Sequence, residues 1–93
     1  MNDPSSSHEI SQKIFQMGLS VETVSVYLLC CGLVEAGAAL SVNNLKDKWN
    51  GTPQQLQEGL DALEKRNILF RIIADSNDRA VYRILDAGKW KCH

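Results

Sequence analysis

Gln54, Gln55 and Gln57 crowd into four positions just after Asn50-Gly51-Thr52. A carboxamide holds a donor and an acceptor side by side, so it can bond a flat polar edge twice; the adenine edge is the best match. Cations flank the glutamines: Lys46 and Lys48 before the turn, Lys65 after it and Arg79 further along. Ammonium and guanidinium groups neutralise phosphate oxygens, and the Thr52 hydroxyl can bond them. Glu58 and Asp61 lie in the same stretch and work against that chemistry, because carboxylates repel a phosphate-lined groove.

The other reactive side chains are arranged less suggestively. Cys30 and Cys31 are adjacent, and Cys92 is next to last. Neighbours on a helix point in different directions, and an odd cysteine count without regular spacing builds no disulfide framework. His8, Cys92 and His93 lie near opposite ends of the sequence, so no zinc-ligand spacing arises. No glycine-rich phosphate loop, paired carboxylates beside a base, or nucleophile–histidine spacing is present. An enzyme is therefore not expected, and neither a cofactor nor a metal is implied.

The elements that position these groups follow from periodicity and end signals. The expected class is α+β, mainly α. Residues 1–7 are a Ser-rich leader. Ser7 can cap a helix over His8–Met17, with Ile10, Ile14 and Met17 on one face and Phe15 off it. Ser20 caps a second helix, Val21–Glu35. Its Val24, Tyr27, Leu28, Cys31 and Val34 form one apolar face, while Val26, Leu29, Cys30 and Leu33 cover much of the rest. A helix apolar nearly all round is buried on most sides. Either internal packing covers it, or a homodimer contact forms through the two N-terminal helices.

Ala38–Leu40 is a candidate short strand. Ser41 caps a helix over Val42–Trp49, with Val42, Leu45 and Trp49 inward and Lys46 and Lys48 outward. Asn50-Gly51 is a turn signal. Thr52 and Gln55 have capping-box spacing, and Pro53 takes the first position of a helix running to Arg66. Leu56, Leu60 and Leu63 form its inner stripe, and Gly59 beside them lets another helix approach. At about 100° per residue, the opposite side carries Gln54, Glu58, Asp61 and Lys65. Asn67 suits the left-handed position past the helix end. Leu69–Ala74 and Arg79–Leu85 alternate as strands around Asp75-Ser76-Asn77-Asp78, and Asp86 can cap a last turn. The domain so read spans 8–88, with a tail over 89–93. No effector pocket is legible.

The segment from Val21 to Gly88 resembles a winged helix-turn-helix domain. Its end is similar to the wing of MarR-type regulators, in Leu63-Glu64-Lys65-Arg66-Asn67-Ile68-Leu69, in Asp78-Arg79-Ala80-Val81 and in Leu85-Asp86-Ala87-Gly88. It departs from them in having one arginine at the tip and Asp86 where the family has threonine. The resemblance implies a three-helix core with a hairpin wing and an extra N-terminal helix. It further implies that the helix from Pro53 enters the major groove of double-stranded DNA and that Arg79 reaches the minor groove. Gln54, Gln55 and Gln57 would then read bases, and Lys46, Lys48, Thr52 and Lys65 would hold the backbone.

Whole-chain composition pulls the other way. The 93 residues are 44% apolar with net charge −1, where a dedicated nucleic-acid binder is usually basic. A winged-helix module that docks on a protein partner is thus a second expectation. No basic segment leads into an apolar run, and the longest uncharged stretch, Thr23 to Val34, is short for a membrane span. A cytoplasmic location without membrane contact is expected.

Overall fold

The computed structural model describes residues 12–72 and 80–91. They form three α-helices and one small antiparallel sheet: α1 (Val21–Glu35), α2 (Val42–Lys48), α3 (Pro53–Lys65), β1 (Leu69–Ile72) and β2 (Val81–Ile84). Short 3-10 turns, Gln12–Gln16 and Ala87–Lys89, flank them. The class is α+β and mainly helical, as expected.

Each helix starts where a side chain satisfies its orphan amides. Ser20 accepts from the Thr23 N–H, Ser41 from the Asn44 N–H and Thr52 from the Gln55 N–H. At the far end of α3, Asn67 takes φ +61°, the left-handed conformation its sequence position suggests.

Packing centres on α1 against α3. Leu56, Leu60 and Leu63 are all buried, as expected, and they meet α1 on its Val26 side. Gly59 makes the close approach possible. A Cβ there would lie 2.7 Å from Val26 Cγ2 and 3.7 Å from Thr23 Cα. Val26 is fully buried and β-branched, so it has little room to yield. Gly59→Ala is expected to cost about 1–3 kcal/mol by overpacking, of which about 1 returns as helix propensity. Urea denaturation checks this, and a variant more stable than the parent would show that Val26 gives way.

The face of α1 that lies deepest differs from the one read first. Thr23, Val26, Tyr27, Cys30, Cys31 and Leu33 are buried, Val24 and Leu28 are half-buried, and Val34 is exposed. A helix apolar on most sides carries no periodic signal to choose between faces, and Gly59 settles the choice by admitting α3. The expected helix over His8–Met17 also changes form. Its described part is a 3-10 turn with Ile14 in the core; Met17, just after it, is also buried, and the Arg66 guanidinium donates to the Met17 carbonyl at 3.3 Å. Phe15 is exposed off that face, as expected.

Among the described residues the sheet covers Leu69–Ile72 and Val81–Ile84, and residues 73–79, with the Asp75-Ser76-Asn77-Asp78 loop and Arg79, lie outside them. Leu69 pairs with Ile84, Phe70 with Arg83, Arg71 with Tyr82 and Ile72 with Val81. Leu69 and Tyr82 are buried, and Phe70 and Ile72 look outward with Arg83. Arg71 lies 3.5 Å from Glu64, an exposed ion pair of little weight. The expected strand at Ala38–Leu40 is reduced to a single bridge one step later, Ser41 to Val81.

Two corrections concern the C-terminal end. Asp86 precedes the last turn, but its side chain makes no capping bond; its carbonyl accepts from the Lys89 N–H instead. Trp90, read as tail, belongs to the core. Its indole N–H donates to the Leu85 carbonyl at 2.9 Å, and its ring meets Tyr27 edge-on at 5.5 Å.

Candidate nucleic-acid interface

The turn between α2 and α3 is fixed from both sides. Leu45 and Val42 anchor α2 in the core, which leaves Lys46 and Lys48 exposed. The Trp49 indole N–H donates to the Thr52 carbonyl at 3.0 Å and closes the turn. Gly51 is needed here, since a Cβ would run into Gln55 Oε1 and the Trp49 ring. Ser25, Leu29 and Lys48–Gly51 enclose a surface hollow of about 330 Å³ beside it.

The capping box forms in full: the Gln55 N–H donates to Thr52 Oγ1, and the Thr52 N–H to Gln55 Oε1, both at 3.1 Å. The Thr52 hydroxyl and the Gln55 oxygen are therefore engaged in starting α3. Gln54 is exposed and Gln57 half-buried. Gln54 Nε2 donates to Glu58 Oε2 at 3.1 Å, and Gln57 Nε2 to Asp61 Oδ1 at 2.9 Å. One amide hydrogen of each is spent on a carboxylate four positions on, while both carbonyl oxygens remain to accept. Lys65 is exposed at the C-terminal end of the same helix.

The structure thus gathers Thr52, Gln54, Gln55, Gln57 and Lys65 on α3 and its cap, with Lys46 and Lys48 on the preceding helix. Two carboxylates and one ammonium lie on the outer stripe, so its own charge is acidic. Sequence reasoning missed these glutamine–carboxylate bonds, although the i, i+4 spacing of each pair, which faces side chains toward each other, could have signalled them.

Chemistry elsewhere is muted. Burial, with the Cys31 charge added, pushes the Cys30 thiol up to about 12. Burial also raises Cys31, helped by the nearby Glu35 carboxylate and opposed by a bond with Tyr27. Thiols held neutral in this way are poor nucleophiles. Among the described residues no group of histidines, cysteines and carboxylates gathers to hold a metal, and no helix is long and apolar enough to cross a membrane.

No effector pocket is legible in the sequence, yet the fold carries a groove. A groove of about 570 Å³ opens beside β2, over Tyr27, Cys31, Leu40, Tyr82 and Trp90. Trp90 lines it from the C-terminal end, and Ala38 bonds back to the Leu33 carbonyl at the end of α1 instead of pairing with β2; neither event leaves a local signal.

Comparison of the chain with protein-family models, with curated proteins and with solved structures found no match.

Proposed function

We propose that this chain is a small cytoplasmic DNA-binding protein of the winged helix-turn-helix kind, with a MarR-like hairpin, acting as a transcription regulator or accessory factor. The observation that carries the reading is the order of elements: α1, the Ser41–Val81 bridge, α2, a tight turn, α3, then β1 and β2. On the outer side of α3, Gln54, Glu58, Asp61 and Lys65 are exposed among the described residues. In this reading α3 lies in the major groove, Gln54, Gln55 and Gln57 meet base edges, and Lys46, Lys48, Thr52 and Lys65 hold phosphates. By the resemblance, Arg79, which lies outside the described residues, would reach the minor groove. Exposed Phe15 and Val21 offer an apolar corner through which two copies pair.

Gln54→Ala is expected to relax base preference at one position, and Arg79→Ala to weaken binding to all sequences alike. Selection of bound duplexes from a random pool, parent against variant, reads both. An unchanged preference with Gln54→Ala would sink the docking geometry.

A second reading rests on the Gln54–Glu58 and Gln57–Asp61 bonds. They turn the outer face of α3 into an acidic, self-bonded surface, which suits a docking module for a protein partner. Docking through apolar surface would barely respond to salt, whereas binding to phosphates would weaken steeply.

A further inference from the structure

The β1–β2 register divides the main-chain groups of β2 between its two edges. Leu85 N–H donates to the Ile68 carbonyl, and Arg83 and Val81 sit opposite Phe70 and Ile72. Odd-numbered residues therefore spend their backbone groups on β1, and Ala80, Tyr82 and Ile84 direct theirs to the other edge. There the Val42 N–H donates to the Ala80 carbonyl at 3.0 Å, and the Tyr82 N–H to the Leu40 carbonyl at 2.8 Å. Pairing stops at that point. Ala38 turns its N–H back to the Leu33 carbonyl at the end of α1, and among the described residues no backbone bond reaches the Ile84 N–H or the Tyr82 carbonyl.

This open edge is the rim of the 570 Å³ groove, whose lining includes Tyr82–Leu85 on one side, Ala38 and Ala39 on the other, and Tyr27 and Trp90. We propose that the groove is a docking site for an extended segment of a partner protein, which joins the sheet as a strand along the Tyr82–Leu85 edge. Its main chain takes up the Ile84 N–H and the Tyr82 carbonyl, and one of its alternate side chains, large and apolar, enters the hollow over Tyr27 and Trp90. The open backbone groups select this occupant. A small apolar molecule would fill the hollow and leave the edge unpaired. The chain's own residues 1–11 have only Met1 and Ile10 as large apolar side chains and include Pro4 and three serines in a row, so they lack the alternation such a strand needs. The site is separate from the outer face of α3 and does not rest on the DNA reading.

The test uses the full chain and a displayed library of random linear peptides. The tightest selected sequence is then made as a free peptide. Enriched sequences are expected to alternate apolar and polar residues. In the free chain the Ile84 amide is expected to exchange hydrogen quickly, and the bound peptide to slow it about tenfold or more, while the already bonded Tyr82 and Leu85 amides change less. Methylating the peptide nitrogens that face β2 is expected to weaken binding about tenfold or more, whereas methylating the intervening ones does not. An Ile84 amide already protected in the free chain, no enriched sequence, or binding indifferent to N-methylation would each overturn the proposal. None of these readouts needs a variant of the protein to fold.

Discussion

Trp90→Ala is expected to destabilise the fold by about 3–5 kcal/mol. The ring is nearly inaccessible, meets Tyr27 edge-on, and bonds the Leu85 carbonyl through its indole N–H. Truncation removes the ring contact, leaves the Leu85 carbonyl without that donor and opens space under β2. A domain of this size has roughly 5–15 kcal/mol in hand, so much of the molecule's stability would go. Trp90→Phe separates the terms: it keeps an aromatic ring and loses the hydrogen bond, for about 0.5–1.5 kcal/mol. Urea unfolding followed by circular dichroism measures both. A cost below about 1 kcal/mol for the alanine variant would mean that Trp90 does not hold the C-terminal end on the core.

Leu60→Ala is expected to cost about 2–5 kcal/mol. Leu60 is fully buried in the α3 stripe, next to Gly59, where α1 comes closest. The Val26 side chain already packed against Gly59 limits how far α1 can settle into the vacated space, so the cavity stays open and the cost is high in the range. The same unfolding experiment reads it, and a loss below about 0.5 kcal/mol would mean that the wrong face of α3 had been placed inward.

The legible parts of the chain were those with short-range causes. The capping box of Thr52 and Gln55, Pro53 at the first helical position, the leucine stripe, Gly59 and Asn67 each encode their own geometry within a turn or two. All five hold in the structure. Where the cause was tertiary, sequence reasoning ran out. α1 is apolar on most sides, so its periodicity could not say which side meets α3. Nothing near Trp90 announces that it folds back onto Tyr27, since the partner lies in a distant helix. Ser41 is both a helix cap and a bridge residue, which moved the expected strand along the chain. At the candidate interface, the amide and carboxylate types on α3 were plain from spacing. That Gln55 is taken up by the cap, and that Gln54 and Gln57 bond Glu58 and Asp61, depends on side-chain geometry.

These bonds frame the central question, whether cations around α3 outweigh its carboxylates. The direct measurement is fluorescence anisotropy of a random-sequence DNA duplex titrated with the chain at about 50 and about 200 mM salt, with light scattering in parallel for the oligomeric state. Some 4–6 phosphate contacts from Lys46, Lys48, Lys65 and the hairpin arginines would weaken binding roughly 10²–10³-fold between the two conditions. Binding at the lower salt with that steep loss is the expected result. No binding even at about 50 mM salt would contradict it, and Glu58 and Asp61 would then mark α3 as a surface for a protein partner.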